Sequence, residues 1–284
     1  MTFLQAMALA ILQGISELFP VSSLGHTVLI PALLRWPVDR SDPTFLAFVV
    51  ALHLGTAIAL VVFYRKDWIR IASGLVRSVI TGKLDEPGAR LGWLLVAGTI
   101  PLAIAGVFLQ HPVRAMFGSS ALVAGFLILN GLVMFFGERL RRVERGPGSP
   151  PPKDIEGLSF RSAATIGLSQ AAALFPGISR SGASIVTGLL HDLTHDDAAR
   201  FSFLLATPAI GAASVLEIPR LFVPEAHGIL VESAIGAVVA GVTAYGSVAF
   251  LTRYFHTNDL RPFGWYCLIF GGVCLVLALT KVIA

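Results

Sequence analysis

Phe19-Pro20-Val21-Ser22-Ser23-Leu24-Gly25-His26 breaks an apolar run over residues 1–34, and Phe175-Pro176-Gly177-Ile178-Ser179-Arg180-Ser181-Gly182 breaks another over 163–190. Pro and Gly end a helix at each place. Irregular backbone at membrane depth persists only where protein buries it or water reaches it. Each run is therefore expected to form a re-entrant helix–loop–helix hairpin that enters and leaves by one face.

Composition supplies the membrane. The 284 residues are 55% hydrophobic and 13% charged, with a mean hydropathy of +0.77. A soluble domain carries about 25% charged residues, so this chain lacks the polar surface to stay in water. The net charge of +4 reflects basic loops rather than a nucleic-acid interface. Cys267 and Cys274 share a helix face without metal-ligand companions and read as buried free thiols. The start has no basic segment, and Gln13, Glu17 and Pro20 interrupt its apolar run, so a cleaved signal peptide is not expected.

Apolar stretches of spanning length occupy 45–64, 93–109, 119–136, 229–251 and 264–283, against about twenty residues needed per span. A sixth starts near Phe201 and fades where Glu217, Pro219 and Arg220 interrupt it. The expected architecture is all-α: six transmembrane helices and two re-entrant hairpins. Basic residues crowd the 65–90 and 137–162 connections, two spans apart. The positive-inside rule makes that side cytoplasmic. The 36–44 loop, the N-terminal hairpin and both termini are then external, and the second hairpin has a cytoplasmic origin. Gly146 to Pro152 reads as flexible linker.

The halves resemble each other. Leu12, Leu18, Phe19 and Pro20 precede Leu168, Leu174, Phe175 and Pro176 by 156 positions, as Phe45 and Gly55 precede Phe201 and Gly211. The division is a first repeat over 1–136, a cytoplasmic linker over 137–162 and a second repeat over 163–284. A hairpin plus three spans gives each half the opposite topology of the other. Inverted repeats with broken helices place a site where the breaks meet, near the midplane.

The breaks hold reactive groups. Gln13 and Glu17 share a helix face, and a carboxylate within apolar sequence is a functional candidate. Ser22, Ser23 and His26 offer hydroxyls beside an imidazole, the elements of a nucleophile with its base. Arg180 needs an anionic partner, which is either a bound phosphate held by its fork or Glu17 in an ion pair. The Gly/Ser-rich loop opening a helix around Arg180 favours a phosphate cradle. Glu17 and Gln13 are hard oxygen ligands suited to Mg²⁺ or Ca²⁺, and zinc is not indicated.

The run Gln13-Gly14-Ile15-Ser16-Glu17-Leu18-Phe19-Pro20-Val21-Ser22-Ser23-Leu24-Gly25-His26, followed by Pro176-Gly177-Ile178-Ser179-Arg180-Ser181-Gly182-Ala183-Ser184, resembles the BacA/UppP family of undecaprenyl-diphosphate phosphatases over nearly the whole chain. The resemblance implies hydrolysis of undecaprenyl diphosphate to the monophosphate, a divalent metal, bacitracin resistance, and a multi-pass protein of the bacterial inner membrane whose site opens to the periplasmic side. Glu17 matches the second acidic residue of the family's (E/Q)xxxE motif. Ser22, Ser23 and His26 match PVSSxGH, and Ser179, Arg180 and Ser181 match PGxSRSG. The first acidic position is often Glu in the family and is Gln13 here, which keeps an oxygen but removes a charge. His53 lies where relatives carry a polar residue, and either lines the site or packs.

On this reading Arg180 and the amides of Ser179–Gly182 hold the diphosphate, with Ser22, Gly25, Ser179, Ser181 and Gly182 binding substrate. Glu17 and Gln13 hold the metal. Ser23 attacks the terminal phosphorus with His26 as base, or water activated by His26 or Glu17 attacks directly. The competing class is a lipid-phosphate flippase that uses Arg180 and Glu17 without cleavage. The partners expected are a polyprenyl diphosphate and the membrane, with no nucleic acid. Oligomeric state, a homodimer included, stays open.

Overall fold

Each break separates two short helices. A computed structural model describes every residue except 39–42, 85, 87, 145–150, 218, 220–227 and 284. In it, α1 (Phe3–Ser16) and α2 (Ser23–Leu33) flank the first break, and α7 (Phe160–Ser169) and α8 (Arg180–Leu190) flank the second. Thr2 and Gln5 form a reciprocal cap on α1: Thr2 Oγ1 accepts the Gln5 N–H, and Gln5 Oε1 accepts the Thr2 N–H. After the breaks the helices restart in the same way. Ser22 caps α2 by accepting the Gly25 N–H at 3.2 Å, and Ser179 caps α8 by accepting the Gly182 N–H at 3.1 Å. Ser22 adopts φ +69° to do so, an unusual conformation for a residue with a side chain.

The long helices are α3 (Pro43–Phe63), α5 (Ala89–Arg114), α6 (Ser120–Glu144), α9 (His195–Glu217), α10 (Leu230–Tyr254) and α11 (Arg261–Leu279). Five of them are long and apolar enough to span a membrane: Thr44–Phe63, Ala89–Leu109, Ser120–Val143, Leu230–Tyr254 and Arg261–Leu279. These coincide with five of the six expected spans. The sixth, α9, is a 23-residue helix that opens on His195, Asp196, Asp197 and Arg200, so its apolar part is shorter than its length. Pro208 lies inside it without ending it. Of the residues expected to interrupt this span, Arg220 lies outside the described residues.

The 65–90 connection contains α4 (Arg65–Thr81), a helix that hydropathy alone does not reveal. It buries Ile71, Gly74 and Ser78 against α5 and leaves Ile69, Val76, Val79 and Ile80 exposed. The residues assigned to flexible linker fall at 146–150 outside the described set. The chain beyond them is anchored, since Ile155 and Leu158 are buried and Arg90 donates to the carbonyls of Glu156 and Leu158 at 2.6 and 2.7 Å.

Small residues set the helix crossings. A Cβ at Gly14 would overlap the Ala240 carbonyl, one at Gly55 the Ala237 carbonyl, and one at Gly167 the Gly98 carbonyl. These crossings join α1 to α10, α3 to α10 and α7 to α5, as small residues do where backbones approach closely in membrane bundles. Each break is thus carried on a helix packed against the other half of the chain. α6 and α11 pack together, and Cys267 and Cys274 on α11 are buried free thiols.

Candidate active site

The two breaks meet. A Cβ on Gly25 would lie 3.2 Å from the Gly177 Cα, so the first turn of α2 touches the second break directly. Gly177 has φ +113° and lies against the Val123 carbonyl, where a side chain would fit neither the conformation nor the space. Ser181 Oγ, on α8, donates to the Phe19 carbonyl at 3.2 Å. Asn130 on α6 joins the breaks from behind. Its Nδ2 donates to the Pro20 carbonyl at 2.9 Å while its Oδ1 accepts the Ser179 N–H at 3.0 Å.

Between the breaks sits a buried cluster around Glu17, whose side chain is only 6% exposed. Its Oε2 accepts from Ser23 Oγ at 2.6 Å and from Gln13 Nε2 at 3.1 Å, and it lies 3.2 Å from His53 Nε2. Its Oε1 faces Arg180, with Nη2 at 3.3 Å and Nε at 3.4 Å. Arg180 reaches further partners through Nη1, namely Gln170 Oε1 at 3.4 Å and the Ser202 carbonyl at 3.3 Å. All four Arg180 contacts exceed the usual 2.7–3.2 Å for N–H···O, so the guanidinium is surrounded by acceptors without being clamped by any.

Hydrogen-bond partners fix the two imidazoles differently. His53 Nδ1 faces the Val49 carbonyl at 2.7 Å and Nε2 faces the Glu17 carboxylate. Both are acceptors only, so the ring makes both bonds when it carries two protons. His26 Nδ1 donates to the Ser22 carbonyl at 2.7 Å. Its Nε2 then accepts from the Tyr266 hydroxyl, also at 2.7 Å, and the His26, Tyr266 and Phe270 rings lie nearly parallel with centroids 5.2–5.7 Å from one another. His53 and Arg180 both face the Glu17 carboxylate, so two basic side chains gather on one acidic one.

The residues singled out from the sequence converge. Glu17, Gln13, Ser23, Arg180 and the helix starts at Ser22 and Ser179 lie in one buried junction. Ser179 Oγ and Ser181 Oγ are 3.0 Å apart. Of the two anionic partners open to Arg180, Glu17 is the one it faces here, at 3.3 Å. The pairing of Ser23 differs from expectation: its hydroxyl is given to Glu17, while His26 is turned to Ser22 and Tyr266. Sequence reasoning did not find Gln170, Asn130, Ser202 or Tyr266. Gln170 had one usable signal, since it stands next to the counterpart of Gln13 in the second half.

The chain matches the family described as Bacitracin resistance protein BacA over residues 6–273. It belongs to that family. Among its relatives, it is 47% identical to Undecaprenyl-diphosphatase 2 of Chromobacterium violaceum, over 99% of this chain and 100% of that one. It is 47% identical to Undecaprenyl-diphosphatase of Acidiphilium cryptum, over 98% of both chains, and 45% identical to that of Mycolicibacterium paratuberculosis, over 97% of both. The BacA match spans both breaks, all five apolar spans apart from the last residues of α11, and α9.

Proposed function

We propose that the chain hydrolyses undecaprenyl diphosphate to undecaprenyl phosphate and inorganic phosphate at the Glu17–Arg180 junction. It is a phosphatase of a lipid carrier used for cell-wall glycans, and abundance of the enzyme gives bacitracin resistance. The observation that carries this reading is the full-length identity to relatives named for that activity. The buried cluster supports it by bringing the Arg180 guanidinium and the His53 imidazole together where a phosphate would be held.

The hydrogen-bond pattern supports a division of roles. Arg180 exchanges its long contacts for phosphate oxygens and stabilises the charge that develops there. The start of α8, with Ser179, Ser181 and Gly182, and the start of α2, with Ser22 and Gly25, meet at this junction and put two positive helix ends there for substrate. Ser23 Oγ attacks the terminal phosphorus, its proton passes to Glu17, and the bridging P–O bond breaks to release undecaprenyl phosphate. A water then attacks the phosphoserine, giving up its proton to His26 Nε2; the Ser23 Oγ–P bond breaks, Glu17 returns its proton to Ser23 Oγ, and inorganic phosphate leaves. A divalent cation, Mg²⁺ or Ca²⁺, suits the donors present. Gln13 Oε1 is a buried oxygen with no hydrogen-bond partner, on the side chain whose Nε2 donates to Glu17. Gln13 and Glu17 would hold the ion, which supplies charge to the phosphate oxygens.

The fold reading extends the same way. An exchange of helices supports an inverted repeat: α1 of the first half packs on α10 of the second, and α7 of the second packs on α5 of the first. α3 touches α10 as α9 touches α5. In that pairing α9 corresponds to α3, which makes it the sixth span, and α1–α2 and α7–α8 are re-entrant hairpins. The basic 65–90 and 137–162 connections favour the cytoplasmic side of a bacterial inner membrane for that end, with the site opening to the periplasmic side.

Phosphate release by purified protein in detergent tests hydrolysis, because translocation has no meaning there; a flippase releases none. With labelled substrate, His26→Gln is expected to accumulate protein-bound phosphate that Ser23→Ala abolishes. Label that persists in Ser23→Ala removes the covalent route.

A further inference from the structure

A second polar site lies at the bundle end formed by the last turns of α6, the first turn of α9 and the turn between α10 and α11. It lines an open cleft of about 770 Å³. Its floor is a fully directed network. Buried Glu138 accepts from His195 Nε2 at 2.7 Å and from the Leu260 N–H at 3.0 Å, and Arg141 Nη1 donates to His195 Nδ1 at 2.8 Å. Above the floor, Arg261 and Arg142 flank Asp259, at 2.7 and 3.6 Å from its Oδ2. Burial raises the Asp259 carboxyl, but hydrogen bonds from Arg261 outweigh it and hold the group below the ordinary carboxylate value. Asp259 is therefore ionised, and three arginines face two carboxylates. The Arg142 and Arg261 side chains are 61% and 50% exposed, so each keeps donors for a ligand.

The rim of this cavity is aromatic. Trp265, 58% exposed, and Tyr254 both line it. Trp and Tyr flanking cationic groups at the ends of spanning helices mark the headgroup level of a bilayer. This is also the end that carries the basic connections, where anionic headgroups gather. The site is distinct from the Glu17 junction. Along α6, Glu138 and Arg142 lie eight and twelve positions beyond Asn130, roughly 12–18 Å at helical rise.

We propose that this cavity binds a phosphate-bearing anion, and that its source is the headgroup of an anionic phospholipid in the adjoining leaflet. Arginine forks grip the phosphate diester, the aromatic rim holds the glycerol backbone at interface depth, and the volume lies within the 300–1,000 Å³ of small-ligand sites. A lipid seated there ties α6 to α9 and to the α10–α11 turn. Because it binds only the folded bundle, it raises stability by mass action. The proposal rests on the chain's membrane character and not on the hydrolytic chemistry.

Purified full-length protein in micelles is titrated with phosphatidylglycerol, phosphatidylcholine or inorganic phosphate, reading Tm and the lipid retained in native mass spectrometry. Phosphatidylglycerol is expected to raise Tm by about 5 °C at a hundredfold excess over Kd and to remain as one bound lipid, with no rise from phosphatidylcholine. Arg142→Gln/Arg261→Gln loses the shift, whereas Arg139→Gln, an exposed residue of the same helix outside the cavity, keeps it. If the double variant does not fold, Arg142→Gln alone serves, its ion pair with Asp259 being long. Equal effects of the two lipids, or a shift retained in the variants, overturn the proposal. A shift produced equally by inorganic phosphate overturns the lipid source.

Discussion

Asn130 holds both breaks with one side chain, donating to Pro20 and accepting from Ser179. Asn130→Ala leaves a buried carbonyl and a buried N–H without it, at about 1–3 kcal/mol for each unsatisfied group. Tm is expected to fall by several degrees and hydrolysis by at least tenfold, since Ser23 and Arg180 stand on the two segments it joins. An unchanged Tm would show the breaks to be held without it. Gln13 poses a different question. Gln13→Glu adds a charge to an oxygen donor suited to a hard cation. The Mg²⁺ concentration for half-maximal activity is expected to drop about tenfold or more, and identical metal titrations would remove Gln13 from the ligand set. At this scale the sequence was most legible where charge met apolar surroundings, because a buried Glu17 and Arg180 demand partners wherever they sit. Asn130, Gln170 and Tyr266 carry no such signal. A neutral polar residue in an apolar helix satisfies itself locally as often as across the fold, and Asn130 meets Pro20 from 110 positions away.

Helix crossings carry the next level of control. α7 approaches α5 so closely that a Cβ on Gly167 overlaps the Gly98 carbonyl. Gly167→Val is expected to push α7 off α5, displacing Gln170 and the Arg180 loop. Activity should be lost along with about 1–3 kcal/mol or more of stability. Gly211 on α9 has open space around it, so Gly211→Ala is expected to keep Tm and turnover. Equal damage from the two would detach the effect from the crossing. The elements themselves were partly readable. Both breaks announced themselves through Pro20 and Pro176, because proline removes a donor that a helix needs. α4 escaped notice because its apolar residues divide between a packed side, Ile71, and an exposed side, Ile69, Val76 and Ile80, neither of spanning length. Pro208 is the opposite case, a proline that a helix absorbs.

For the whole molecule, orientation makes a prediction of its own. Cys267 and Cys274 are buried, so the wild-type chain gives little background to thiol reagents. In intact cells, Pro37→Cys is expected to react with a membrane-impermeant maleimide, and Lys83→Cys only after the cells are opened. The reverse pattern would invert the proposed topology. Five spans and the two interrupted segments were evident from hydropathy and turn chemistry. The way the halves interlock was not, because the small residues at Gly14, Gly55 and Gly167 reveal a close neighbour without naming it.

That interlocking sets a timetable. α1 ends at Ser16, and the helix it packs on, α10, begins at Leu230. At about 5–20 residues per second of synthesis, more than 200 intervening residues take on the order of 10–40 s to emerge. Throughout that interval the segment bearing Glu17 has entered the cell's machinery ahead of the surface that will hold it. Newly made chains therefore hold Glu17 with its near partners Gln13, Ser23 and His53 before α10 can cover α1, and the order of translation, rather than the strength of the finished bundle, sets when the protein is most exposed to proteolysis.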